Sequence, residues 1–109
     1  MAQGQNHYLA DLREIQFVLF EQNGLGDLLK NAPFVGTFDE SGVDMVLDEA
    51  YQFATTVVGP LNSSGDAEGC RLVDSRVQTP TGFHDAWKRA YASGLRLVSI
   101  HPEWGGSGA

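Results

Sequence analysis

The groups in this chain that could do chemistry are carboxylates, imidazoles, one thiol and a glycine run, and each sits in a context that limits it. Asp39, Glu40, Asp44, Asp48 and Glu49 form an acidic cluster. Paired carboxylates work as general acid and base when apolar surroundings push their proton affinities apart. Asp44 and Asp48 stand four residues apart on one helix face, off the apolar stripe, so a solvated face is expected. His7, His84 and His101 show no ligand spacing with one another or with Cys70. A zinc site needs about four ligands at short spacings, so no metal site is expected. His84 is expected to face solvent beside a core-facing Phe83.

Cys70 follows Glu68 and Gly69. A reactive thiol needs electropositive surroundings, so Cys70 reads as a buried structural cysteine. A lone cysteine excludes an internal disulfide and fits a reducing compartment. No Gly-x-Ser-x-Gly elbow is present, and Ser41, Ser63 and Ser64 sit in cap or loop contexts. Gly105-Gly106-Ser107-Gly108 is the sole conventional glycine motif. A phosphate-cradling loop needs a strand before it and a helix N-terminus after it, and that context is missing. The run therefore reads as a flexible linker or domain junction.

The elements that must position these residues follow from apolar periodicity. Leu12, Ile15 and Leu19 have helical spacing, Asp11 and Glu14 supply first-turn negative charge, and Asn23-Gly24 is the stop. Leu25, Leu28 and Leu29 suggest a helical turn closed by Asn31 and Pro33, and Phe34 to Phe38 forms a connection whose aromatics tuck into the core. Val43, Val46, Leu47, Ala50, Phe53, Ala54, Val57 and Val58 make a sustained helical stripe. Ser41 with Asp44 has capping-box spacing, and Asp39 is the alternative cap. Gly59-Pro60 is expected to end this helix, because proline disfavours helical geometry in the residue before it. Residues 61–70 read as a loop. Leu72-Val73 and Val77 around Asp74-Ser75-Arg76 suggest a small hairpin. Thr79 then caps a helix with Pro80 at its first position, carried by Phe83, Ala86, Trp87, Ala90 and Tyr91 and stopped by Gly94. The segment from Leu95 on is mixed and turn-rich.

A chain of 109 residues is one domain at most, burying roughly two thirds of its unfolded surface around one core. Apolar residues at 42% and charged residues at 19% read as globular. Fourteen acidic against seven basic side chains give a net charge of −7 without any basic run. That argues against nucleic acid or an anionic membrane as partner. The polar N-terminus carries no apolar signal region, and no apolar run approaches the ~20 residues of a membrane helix, so a cytoplasmic chain is expected. The fold class is mostly α, a small helical bundle of about three to five helices with a short β-hairpin. Residues 1–8 are expected to be a flexible tail, 9–104 the helical domain, and 105–109 the glycine-rich end at a domain junction.

Ordered stretches resemble the acyl-CoA dehydrogenase family. Tyr8-Leu9-Ala10-Asp11-Leu12-Arg13 with Phe17-Val18-Leu19-Phe20-Glu21 resembles the N-terminal extension of one branch, without the proline usual there. Leu47-Asp48-Glu49-Ala50, Phe53-Ala54 and Pro60-Leu61-Asn62 resemble the next helix and its closing proline. Gly65-Asp66, Glu68-Gly69-Cys70, Val77-Gln78-Thr79-Pro80, Gly82-Phe83 and Tyr91 continue the match. Gly94-Leu95 through Pro102-Glu103-Trp104-Gly105-Gly106-Ser107-Gly108 is similar to a Gly-Leu…Pro-Glu-Tyr-Gly-Gly-x-Gly signature, with tryptophan in place of tyrosine.

The resemblance implies a flavoenzyme with an N-terminal helical domain, a middle β-domain and a C-terminal helical bundle. Its chemistry removes a proton from Cα and a hydride from Cβ of an acyl-CoA, the hydride passing to FAD. The catalytic glutamate and most flavin contacts belong to the later domains, so no residue here is assigned a catalytic or cofactor-binding role. Trp104 is the one candidate for the wall around the acyl chain, against ordinary packing of an aromatic. The implied function is the N-terminal domain of an FAD-dependent acyl-CoA dehydrogenase, inactive alone. FAD and acyl-CoA would bind the full-length parent, and the parent's remaining domains would be the partners. A stand-alone helical protein–protein interaction module is the competing expectation, with a family member of changed partner domain as a third. Apolar surfaces left exposed by the missing domains predict self-association.

Overall fold

A computed structural model describes residues 8–31 and 38–108. The chain divides into two compact units, Gln52–Ser93 with Met1–Leu9, and Ala10–Tyr51 with Gly94–Ala109. The mostly α expectation is met: among the described residues there are four helical stretches and one two-stranded hairpin. The single buried core is not. Among the described residues no hydrophobic side chain is fully buried, and the apolar stripes lie half-covered.

In the Ala10–Tyr51 unit, α1 (Leu12–Gln16) begins where the Asp11 carboxylate accepts from the Arg13 amide at 2.9 Å. It widens into a π turn, Phe17–Gln22, and stops at Asn23 and Gly24 as expected. The Asn23 backbone amide and side-chain amide both donate to the Val18 carbonyl, at 3.1 and 2.7 Å, and Gly24 adopts φ 62°. A non-glycine residue would be strained at that dihedral. The short α2 (Leu25–Leu28) follows, its last turn tied by the Asn31 side chain donating to the Asp27 carbonyl at 2.8 Å. Of the connection expected at 34–38, only Phe38 falls within the described residues; its ring lies beside Gly42.

Helix α3 (Glu40–Phe53) is capped by Asp39, whose Oδ1 accepts from the Gly42 amide at 2.7 Å. This is the alternative to the Ser41 capping box. Its stripe of Val43, Val46, Leu47 and Ala50 is half-buried, while Met45, Asp48 and Glu49 are exposed. The expected stop at Gly59-Pro60 does not occur. A π turn, Ala54–Val58, leads straight into α4 (Gly59–Glu68), so the expected loop at 61–70 is mostly helix. The Gly59 amide reaches back five residues to the Ala54 carbonyl, and Pro60 falls within the first two positions of the new helix. Proline is tolerated in a first turn because its missing N–H would have no partner there. Glycine at 59 removes the Cβ that would otherwise collide with the proline ring.

In the Gln52–Ser93 unit, α4 closes at Gly69 (φ 69°), and β1 (Arg71–Val73) pairs antiparallel with β2 (Arg76–Gln78). Leu72 stands opposite Val77, as the expected hairpin requires. Asp74 and Ser75 both have positive φ, at 50° and 61°, the dihedrals of a type I′ turn whose twist matches paired strands. Helix α5 (Phe83–Ser93) begins three residues later than expected. Thr79 does not cap it and Pro80 is not its first residue; the Ala86 amide bonds the Gly82 carbonyl at 2.9 Å. The reason is that Gly82 takes φ 90°, outside helical geometry, so the helix starts only after it. Gly94 (φ 75°) ends α5 as expected, and two 3-10 turns follow, Leu95–Leu97 and Pro102–Trp104.

Candidate functional site: an apolar groove and its clasp

One face of α4 organises the Gln52–Ser93 unit. Leu61, Gly65 and Glu68 fall at i, i+4 and i+7, and they meet three consecutive residues, Gly82, Phe83 and Thr81 respectively. A Cβ on Gly65 would lie 2.5 Å from the Phe83 ring, so the ring seats directly on the helix backbone. Gly65 is buried for the same reason. A Cβ on Gly82 would lie 2.7 Å from Leu61 Cδ2, and Gly82 also holds φ 90°.

Phe53, Val58, Leu61, Phe83, Ala86, Trp87 and Ala90 line a groove of about 270 Å³, with Asn62 as its one polar neighbour. That is at or below the small end of ligand pockets. The lining holds no ionisable group, so the groove can pack an apolar chain or side chains and can do no acid–base chemistry. Trp87 and Tyr91, one turn apart on α5, contact each other with ring centroids 4.9 Å apart and tilted 51°. Trp87 is 61% exposed, so the aromatic face of α5 is offered to its surroundings.

Further along α4, outside the groove lining, the Glu68 carboxylate holds Thr81. Oε2 accepts from the Thr81 amide at 2.8 Å, Oε1 accepts from the Thr81 hydroxyl at 3.0 Å, and Arg71 Nη2 sits 3.4 Å from Oε1. The Thr81 amide first, and then its hydroxyl, hold this carboxyl below the ordinary glutamate value; desolvation opposes them, and the Arg71 charge adds the smallest downward effect. Nothing local in the sequence announces this pair, because the partners are thirteen residues apart.

The sequence-derived candidates are dispersed. Cys70 is exposed, not buried: it lies immediately before a hairpin whose residues are all exposed. His84 is exposed as expected, while its neighbour Phe83 is seated on Gly65 and still 38% exposed. Among the described residues no group of three or more His, Cys, Asp or Glu is arranged to hold a metal ion. Asp44 departs from the expected solvated face: it is half-buried and accepts from Gln16 Nε2 at 2.9 Å. It lines a polar notch with Arg13, Glu21 and Glu40. Asp48 is exposed.

Trp104 ends the second 3-10 turn and is 76% exposed. His101 Nδ1 caps that turn by accepting from the Glu103 amide at 3.2 Å. Gly105 takes φ 84°, and a Cβ on Gly106 would run into the Ile100 carbonyl. The amides of Gly106, Ser107 and Gly108 donate to His101, Leu97 and Ile100 carbonyls. These donors are engaged within the turn, so the run does not form a phosphate cradle and does not fit a flavin diphosphate. Among the described residues no helix is long and apolar enough to cross a membrane.

No family model and no solved structure matches the chain. Among curated proteins, it is similar to 3-methylmercaptopropionyl-CoA dehydrogenase of Ruegeria pomeroyi, at 31% identity over 107 residues. The similarity covers 93% of this chain and 17% of that protein, so the chain spans about one sixth of its relative's length.

Proposed function

From a chain related over nearly its whole length to an acyl-CoA dehydrogenase, we propose the N-terminal helical domain of an FAD-dependent enzyme of that kind. The parent would carry out α,β-dehydrogenation of an acyl-CoA thioester, and this segment alone would be inactive. The observation that supports this most directly is similarity to one such dehydrogenase over 93% of the chain, joined to a site with no catalytic groups. The groove between α4 and α5 is apolar, and the glycine run has no free amides to offer a cofactor phosphate. In this reading FAD, acyl-CoA and the catalytic base belong with the parent's remaining domains, which are its partners. Trp104, presented on a turn that Gly105 and Gly106 permit and backbone hydrogen bonds hold, is the residue available to contribute to the acyl-chain wall. The cytoplasm is the compartment that suits a chain with one exposed thiol and no disulfide.

A chimera tests the reading. This chain replaces the matching segment of the Ruegeria pomeroyi dehydrogenase, and flavin content and acyl-CoA-dependent dye reduction are measured. Retained flavin with substantial turnover is expected, while a folded, flavin-loaded but inert chimera would count against it. The isolated chain, assayed in the same way, is expected to be colourless; flavin absorbance at one equivalent would overturn the claim of an inactive segment.

A second reading, a helical protein–protein interaction module, is favoured by the exposed Trp87–Tyr91 face. Exposed apolar faces of this kind promote association. Self-association at high concentration, read by light scattering, is expected under both readings. Binding of an unrelated partner with no dehydrogenase domain would favour the second.

A further inference from the structure

The groove and the hairpin share a single fastening. The chain leaves α4 at Glu68, runs through the hairpin, and returns at Thr81, where the same carboxylate receives it. Arg71, on the outgoing strand, lies against that carboxylate as well. Gly82 and Phe83 follow directly, and Phe83 with Leu61 forms one end of the groove. The position of the groove wall is therefore fixed two residues from the clasp. Among the described residues the hairpin has no other hydrogen-bonded support of this kind: an isolated pair of three-residue strands is marginal, and every one of its residues is exposed.

We propose that Glu68 is a positioning residue that latches the hairpin and the Phe83 wall together, so that releasing its carboxylate from Thr81 frees the hairpin and opens the groove in one motion. This proposal does not depend on the family reading. The two movements are coupled because Thr81 is both the hairpin's exit and the anchor from which α5 starts. Leu72 and Val77 face outward from the latched hairpin at 75% and 69% exposure. The latch thus also sets where that apolar pair is presented.

The test compares the full chain with Glu68→Ala, Glu68→Gln and Thr81→Val by amide hydrogen exchange and by binding of the apolar dye 1-anilinonaphthalene-8-sulfonate. Glu68→Ala is expected to speed exchange at Thr81 and the hairpin amides several-fold and to raise dye binding, with the amides of α1 unchanged. Glu68→Gln keeps an acceptor for the Thr81 amide but loses the charge opposite Arg71, so it should fall between Glu68→Ala and the parent. Thr81→Val removes only the hydroxyl donor and gives the same changes at smaller size, which decides the matter should the alanine variant fail to fold. Hairpin exchange and dye binding equal to the parent in a folded variant would overturn the proposal. So would faster hairpin exchange without any change in dye binding, because the two movements would then be separate.

Discussion

Helix α1 and helix α3 each end in a π turn followed by a residue pair that normally terminates helices, yet one chain stops and the other continues. After Phe17–Gln22, Asn23 flattens to ψ −5° at the edge of the helical region and Gly24 turns left-handed. After Ala54–Val58, Gly59 stays helical at φ −54°, ψ −47°, and Pro60 opens the next helix. The same residue type, glycine, thus serves opposite ends. At 24 its freedom permits a positive φ. At 59 its missing Cβ makes room for the proline ring. The carbonyl supply differs as well. Asn23 satisfies the Val18 carbonyl twice, sealing the end. In the second turn the Thr56 hydroxyl donates to the Gln52 carbonyl at 2.6 Å, a local back-bond that bends a helix without ending it. A stop signal is therefore a statement about dihedrals and free carbonyls, and residue identity alone underdetermines it.

The largest effect should come from closing the space that lets the second helix continue. Gly59→Val puts a β-branched side chain at a buried pre-proline position, and about 2 kcal/mol of stability should be lost, read from a denaturant midpoint. A midpoint equal to the parent would show that the missing Cβ is not what carries the chain through. Next, Gly24→Ala forces a side chain into φ 62° and should cost about 1 kcal/mol. Pro60→Ala restores an amide and should change stability by less than about 1 kcal/mol in either direction. Carbon chemical shifts should then show whether the π turn at 54–58 relaxes to an α turn. Its persistence would mean that Thr56 and packing hold the wide turn, and that proline only exploits it.

The smallest effect concerns the end of the continued helix. Glu68 has a lowered folded proton affinity, so its clasp is fully present above the ordinary glutamate value. The contribution is lost as pH falls through the lowered value. Exchange of the Thr81 amide should accelerate only in that acidic window, after correction for intrinsic rates. Acceleration at neutral pH would show that another group controls it.

What was legible in the sequence was whatever repeats locally. The stripe from Val43 to Val57, the Asn23-Gly24 stop, the Leu72–Val77 pairing and the Gly94 terminus all follow from short-range spacing. The Pro60 passage was missed because its permission comes from an absent atom on Gly59. The run Asn62-Ser63-Ser64-Gly65-Asp66 has loop composition, but Gly65 is there to seat Phe83, a contact eighteen positions away. Cys70 was placed inside because its acidic neighbours do not suit a reactive thiol, but it is exposed and leads into a hairpin that is wholly exposed. The groove shows the same divide: its α5 residues, and Phe53 and Val58 opposite, have helical period, while Leu61 and Asn62 lie in the stretch read as a loop.

The incomplete coverage of the apolar stripes sets the thermodynamic character of the chain. With no hydrophobic side chain fully removed from water among the described residues, unfolding would expose comparatively little new apolar surface. A shallow denaturant slope and a small heat-capacity change follow. A partner that covers those faces would then raise the midpoint with the logarithm of its own concentration, making stability a readout of occupancy.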